Sequence, residues 1–184
     1  MKFRILTVLV LTLSTTLACN AQADWQRKVQ NEMPLLGHRN WIVVVDSAYP
    51  LQNSAGIETV TTGADQLAVL EYVLNTIKGS KHVRPLAHLD KELQFVQESD
   101  APGIEQYRKD LKLRLANIDT DSILHDQLIS KLKETSESFH VLVLKTTMTI
   151  PYTSVFLQLD CRYWTAEQEK KLRQDMDKVR PNQQ

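Results

Sequence analysis

One stretch decides the fold: Leu36-Gly37-His38-Arg39-Asn40-Trp41-Ile42-Val43-Val44-Val45-Asp46-Ser47-Ala48-Tyr49-Pro50. Its centre, Trp41 to Val45, is wholly apolar and too short to cross a bilayer, so it predicts a strand buried on both faces. Gly37 gives the backbone freedom before this strand, and Pro50 prevents regular structure from continuing after it. A histidine and a carboxylate therefore bracket a core strand, where α/β proteins place ligand-binding loops.

Two further apolar runs predict strands, at Phe139 to Leu144 and at Val155 to Leu159. Segments with apolar residues at helical spacing separate the three runs. The clearest of these helices begins at the capping pattern Thr62 to Asp65 and ends at Gly79. Strands that alternate with helices predict a layered α/β/α fold with a mostly parallel central sheet. The order of the strands does not follow from the sequence.

The remaining segments give weaker patterns. Ile104 to Leu115 predicts a helix, and another amphipathic helix is predicted to start near Asp121. The segment 82–98 is ambiguous, because Pro85 opposes a helix interior while later apolar residues fit a helical face. Thr165-Ala166-Glu167-Gln168 has the capping-box pattern that opens a helix, and this C-terminal helix is very polar.

The first 23 residues predict an export signal. Lys2 and Arg4 form a positive start, an apolar stretch follows, and Ala21-Gln22-Ala23 gives a small-residue cleavage site. The same leader also fits a lipoprotein that is cleaved before Cys19 and carries a lipid anchor there. We therefore predict an exported, periplasmic protein, or a lipoprotein if Cys19 is the processed N-terminus, without a membrane-spanning helix.

The composition limits the partners and the architecture. The 22 basic residues balance 22 acidic ones without a basic stripe, so no nucleic-acid partner is expected. After cleavage behind Ala23 only Cys161 remains, which excludes an internal disulfide. About 160 residues suffice for one hydrophobic core. We assign the domain to 24–164 and a polar helix and tail to 165–184.

His38 and Asp46 are the first candidates for chemistry. A histidine accepts and donates protons near neutral pH, although His38 also fits a structural role at the strand end. Asp46 fits a carboxylate that orients His38 or binds hydroxyl groups, and equally an Asx-turn that caps Ala48-Tyr49. A five-residue strand spans roughly 17 Å, so the two side chains meet only through loops that fold back or between subunits.

Tyr152 is the third candidate, because it lies between Pro151 and the last core strand. A tyrosine there fits a sugar ligand or a proton relay, and also ordinary loop packing. The sequence has no HExxH, no CxxC, no phosphate-binding glycine loop and no nucleophile elbow. No metal and no cofactor are therefore expected, which leaves cofactor-free proton transfer or simple binding.

Two segments carry a family resemblance. Gly37-His38, the apolar strand and Asp46 to Pro50 are similar to a Gly-His…Asp-Ala-x-x-Pro pattern, with Ser47 at the position of its Ala, and Pro151 to Leu157 is similar to a Tyr-x-Asn-apolar pattern. In this order and spacing they resemble the D-ribose pyranase and L-fucose mutarotase (RbsD/FucU-like) family. The resemblance covers Met33 to Leu159. It implies an α/β fold assembled into homo-oligomeric rings, often decamers, with sites between subunits.

The resemblance also implies an activity, the interconversion of anomers or ring forms of a free monosaccharide without a cofactor. By resemblance His38 would be the principal acid/base, Asp46 its partner or a hydroxyl ligand, and Tyr152 a ligand or second proton donor. Tyr49 and Ser154 would bind the substrate.

Two positions depart from the family pattern. Ser154 stands where the family commonly has Asn, and Ile104 precedes Glu105-Gln106-Tyr107, where the pyranase branch would have a histidine. These departures predict that one proton carrier is lost. They leave two alternatives open: a non-catalytic relative that binds a sugar or another small ligand, and a structural module of the cell envelope.

Overall fold

Strands from across the chain form one sheet in the computed structural model, which describes residues 24–179. The strands are β1 (Trp41–Val45), β2 (Ile57–Thr61), β3 (Val83–Asp90), β4 (Thr120–Ile123), β5 (Val141–Lys145) and β6 (Val155–Cys161). The helices are α1 (24–32), α2 (Gln66–Gly79), α3 (Ile104–Arg114), α4 (His125–Ser136) and α5 (Ala166–Val179), with a short 3-10 helix at Lys91–Gln94. The predicted export signal, Cys19 and the tail from residue 180 lie outside the described residues.

The strand order across the sheet is β2-β5-β1-β6-β3-β4. β6 runs antiparallel to both of its neighbours, and the other neighbouring strands are parallel. The predicted mostly parallel α/β sheet is therefore confirmed. The carboxyl ends of β1 to β5 and the amino end of β6 lie along one side, which we call the carboxyl edge, and the opposite side is the amino edge.

Helices cover both faces of the sheet, because the central strands carry apolar side chains on both sides. Ile42 and Val44 of β1 point into a core with α1, α2 and α3, whereas Trp41, Val43 and Val45 pack on the other face. That second core includes Leu128 and Leu132 of α4, which pack against these strand residues. Burying each such leucine contributes about 2 kcal/mol. The predicted α/β/α layering is therefore confirmed.

Two helix starts are fixed by the side chains that the sequence indicated. The Asp65 carboxylate accepts hydrogen bonds from the backbone N–H groups of Leu67 and Ala68. At α5, the Thr165 hydroxyl accepts from the backbone N–H of Gln168 at 3.2 Å, and the Gln168 side chain accepts from the Thr165 N–H at 2.8 Å. The capping box predicted at Thr165 is confirmed, whereas α2 is capped by Asp65 and not by Thr62, the first residue of the predicted pattern.

Two segments differ from the sequence expectations. The ambiguous segment 82–98 contains β3, in which Pro85 pairs only with β6 because the pairing with β4 begins at Ala87. The helix expected near Asp121 begins later, at His125, because residues 120–123 pair with β3 as the short edge strand β4. None of the described helices is both long and apolar enough to cross a membrane.

Candidate functional site

A histidine–carboxylate pair lies at the carboxyl edge. Asp90 is the last residue of β3, His125 is the first residue of α4, and Asp90 Oδ1 lies 3.0 Å from His125 Nδ1. The Asp90 side chain is fully buried, whereas that of His125 is 32% exposed. Both carboxylate oxygens of Glu92 accept from the His125 backbone N–H at 3.1 Å, which caps α4 where Leu124 offers no polar side chain. The ring is therefore held between a buried group and solvent.

Asp90 favours the tautomer of His125 in which Nδ1 carries the proton. Burial raises the pKa of Asp90, and the hydrogen bond with His125 opposes that rise. With the carboxylate accepting from Nδ1–H, Nε2 on the far side of the ring is left to take or give a proton. The second oxygen of Asp90, Oδ2, has no hydrogen-bond partner within residues 24–179. Asp90 is thus suited to orient the His125 ring from its Nδ1 side.

Tyr152 lies beside His125, with ring centroids 5.7 Å apart and planes at 83°. Its side chain reaches solvent, since the residue is 40% exposed. The backbone φ of Tyr152 is +58°, a left-handed conformation that disfavours residues with a Cβ by about 1 kcal/mol. The surrounding structure must hold this residue in place, as is common at functional sites.

A buried hydrogen-bond network holds the residue next to Tyr152. The Tyr107 hydroxyl donates to the carbonyl oxygen of Thr153 at 2.6 Å, and the Gln66 amide donates to the same oxygen. Gln66 also donates to the Tyr107 hydroxyl at 3.1 Å. Burial raises the pKa of Tyr107 far above its usual range, so this hydroxyl remains a donor. α2 and α3 therefore clamp the turn that presents Tyr152.

The other predicted residues at the carboxyl edge either make a hydrogen bond within the chain or are buried. Asp46 Oδ1 accepts from the Ala48 backbone N–H at 2.8 Å, which is the Asx-turn alternative. Its charge still helps to raise the pKa of Asp90. Tyr49 and Ser154 are buried, at 4% and 1% exposure. Burial first, then the charge of Asp90, raises the pKa of Tyr49 to about 12, so its phenol stays protonated at neutral pH.

His38 lies at the amino edge, on the far side of β1 from Asp46. It is exposed, and within the described residues its side chain makes no hydrogen bond or ion pair. The next residue, Arg39, has a φ of +75°, so a second left-handed residue lies beside a predicted site residue. One chain therefore brings Asp46 and Tyr152 to the Asp90–His125 pair and leaves His38 apart.

Asp90 and His125 are not among the residues predicted from the sequence. Ile104, which stands where the pyranase branch would have a histidine before an acid and a glutamine, is a fully buried core residue. The order histidine, acid, glutamine, apolar residue occurs instead at His125-Asp126-Gln127-Leu128. The loss of a proton carrier at Ile104 stays a prediction, and a different histidine, His125, lies beside Tyr152.

Comparison with known proteins identifies the fold. No protein-family model matches the chain, and no curated protein matches its sequence. The solved structure of Bacillus subtilis RbsD complexed with D-ribose matches over 70% of this chain and 87% of that chain, with 14% identity and a TM-score of 0.50. The chain has the RbsD/FucU fold.

Two other solved structures were found to be similar. FucU from Bifidobacterium longum has 14% identity and a TM-score of 0.49, over 72% of this chain and 92% of that chain. The fucose mutarotase from Streptococcus pneumoniae, in complex with L-fucose, has 19% identity and a TM-score of 0.43, over 67% and 84%. At 14% identity the likeness to RbsD shows the fold alone, and an activity has to be argued from the site residues.

Proposed function

We propose that the protein interconverts the anomers or ring forms of a free monosaccharide by acid/base catalysis at the carboxyl edge. The observation that carries this proposal is the buried Asp90 bound to a partly exposed His125, with Tyr152 against its ring. The solved structure of the same fold contains D-ribose, which makes free monosaccharides the first ligands to test.

The chemistry needs two proton transfers. His125 Nε2 takes the proton of the anomeric hydroxyl while an acid protonates the ring oxygen, and the bond between the anomeric carbon and the ring oxygen breaks. The open-chain aldehyde rotates and the ring closes again, which returns both protons. Asp90 keeps the Nδ1–H tautomer and stabilises the imidazolium that forms. Tyr152, whose ring packs against that of His125, serves as the acid or as a sugar ligand.

His38 enters the proposal through a neighbouring copy of the chain. It lies at the amino edge and His125 lies at the carboxyl edge, so within one chain His38 does not reach His125. A homo-oligomer that sets the amino edge of one copy against the carboxyl edge of the next would add His38 to the site as a second acid/base. Asp46 would then bind a sugar hydroxyl through the oxygen that does not cap Ala48.

A non-catalytic sugar-binding relative is the second candidate function. It is favoured by the hydrogen bond between Asp46 and Ala48, because one of the expected catalytic carboxylates already has a structural role. Both candidates share the same surface and the same ligand class, so they differ only in turnover.

Exchange NMR on D-ribose, L-fucose, D-galactose and D-glucose separates these candidates. The proposed activity predicts that the protein accelerates exchange between the anomers of at least one sugar. Binding without acceleration would support the non-catalytic relative, and neither binding nor acceleration with any of the four sugars would contradict both.

A further inference from the structure

A separate group of ligand-type side chains lies at the amino edge. Glu32 ends α1, Glu58 lies in β2, and His140 directly precedes β5. Each offers one ligand atom, and these atoms all lie within 4.8 Å of one another. Since β2 and β5 pair in parallel, with Ile57 opposite Val141, the sheet fixes where Glu58 and His140 meet. Three elements therefore converge on one point.

The two carboxylates turn one oxygen toward a lysine and the other toward His140. Lys28 Nζ lies 2.7 Å from Glu32 Oε1 and 2.6 Å from Glu58 Oε1. His140 Nε2 lies 3.5 Å from Glu32 Oε2 and 4.0 Å from Glu58 Oε2. Lys28 thus fixes both carboxylates from outside and leaves Oε2 of each to face the imidazole nitrogen.

The inward atoms are short of partners. Glu32 Oε2 and His140 Nε2 are both buried, and neither has a hydrogen-bond partner within residues 24–179. The Glu32 side chain as a whole is only 13% exposed. The two atoms face each other at 3.5 Å, an ion-pair distance without a hydrogen bond, and a cation bound between them would satisfy both buried atoms.

We propose that Glu32, Glu58 and His140 bind a divalent transition-metal ion such as Zn²⁺. Zn²⁺ takes histidine nitrogen and carboxylate oxygen at about 2.0–2.2 Å in tetrahedral geometry, which sets ligand atoms about 3.3 Å apart. Small side-chain rotations bring the observed 3.5 and 4.0 Å separations to that value. A water molecule completes the coordination.

Lys28 would remain bound to the outer oxygens, as ligating carboxylates commonly keep a second partner. The imidazole favours Zn²⁺ over the hard ions Mg²⁺ and Ca²⁺, which prefer sites made of oxygen alone. This site goes beyond the proposed sugar chemistry and does not depend on it, because none of its three ligands takes part in the proposed proton transfers.

Calorimetric titration of the untagged, chelator-treated protein with Zn²⁺ at neutral pH tests the proposal. One Zn²⁺ per chain is expected, and Glu58→Gln and His140→Asn should each weaken binding at least about tenfold by removing a ligand. Glu134→Gln, which changes an exposed glutamate in α4, is the matched control and should bind as the wild type does.

Two further measurements keep the test decisive. Glu58 is 41% exposed on the edge strand β2, so Glu58→Gln should keep the wild-type circular dichroism spectrum. Co²⁺ in place of Zn²⁺ should give the intense visible absorption of tetrahedral coordination, and Glu58→Gln should lose it. Wild-type protein that binds no Zn²⁺, or binding that is unchanged in both Glu58→Gln and His140→Asn, would overturn the proposal.

Discussion

Asp90 Oδ1 lies 3.0 Å from His125 Nδ1, although the two residues are 35 positions apart in the chain. A second histidine–aspartate pair, His88 and Asp121, has different surroundings. His88 is 8% exposed, its Nε2 lies 3.3 Å from Gln158 Oε1, and its ring stacks on Trp41. Only the first pair combines a buried carboxylate with a ring that reaches solvent at the carboxyl edge, so the two pairs provide a matched comparison.

The pH dependence of stability tests the environment of Asp90. Burial raises its pKa in the folded protein above the unfolded value of about 3.9. Between those two values the folded protein binds more protons than the unfolded one, so this residue lowers the free energy of unfolding as the pH rises through that window. Urea denaturation of the wild type and Asp90→Asn should show a wild-type advantage that grows toward acidic pH. An advantage that grows toward neutral pH would refute the assignment.

The variant Tyr107→Phe tests whether the Tyr107 hydroxyl holds the turn that presents Tyr152. Tyr107→Phe removes its hydrogen bond to Thr153 and should lower the free energy of unfolding by about 1–2 kcal/mol. It should also lower the turnover number for sugar exchange, because the turn carrying Tyr152 loosens. Tyr72→Phe is the control, since its hydroxyl donates to the Gln26 carbonyl, away from the site. Equal effects of the two variants on turnover would count against the clamp.

The backbone of Tyr152 gives a test that does not depend on activity. At a φ of +58°, glycine is less strained than alanine, so Tyr152→Gly should be more stable than Tyr152→Ala by about 1 kcal/mol. Guanidinium denaturation of the two variants measures this difference. The reverse order, which is normal at ordinary loop positions, would mean that Tyr152 is not held in the left-handed region.

Mixed oligomers test whether His38 acts across a subunit boundary. His38→Ala and His125→Ala should each be inactive when purified alone. Reassembled together in equal amounts, they should recover about a quarter of the wild-type rate, because that share of boundaries pairs two intact residues. A fully active His38→Ala protein, or a monomeric wild type in light scattering, would exclude this arrangement.

The sequence predicted those parts of the fold that depend on local chemistry. The apolar runs of β1, β5 and β6 are buried on both faces, and the capping box at Thr165 needs only neighbouring residues. β3 and β4 were missed for a physical reason. Pro85 and the polar residues 120–123 disfavour or do not indicate a strand by themselves, and pairing with β6 and β3 imposes it.

In the candidate site too, the sequence predicted the residues that local patterns indicate and not those that strand pairing brings together. Asp46 and Tyr152 were expected at the ends of strands that the sequence identifies, and both lie at the carboxyl edge. Asp90 ends a strand that was not expected, and His125 was placed inside a helix rather than at its start. Their contact depends on the parallel pairing of β3 with β4, which no local pattern encodes.

Exchange NMR with two histidine variants tests the proposed catalysis most directly. On any sugar that the wild type interconverts, His125→Gln should reduce the exchange rate at least about 100-fold, because it removes the proton carrier. His88→Gln should keep the wild-type rate, since both ring nitrogens of His88 are engaged, by Asp121 and by Gln158. An exchange rate that survives in His125→Gln and falls only in His88→Gln would contradict the account.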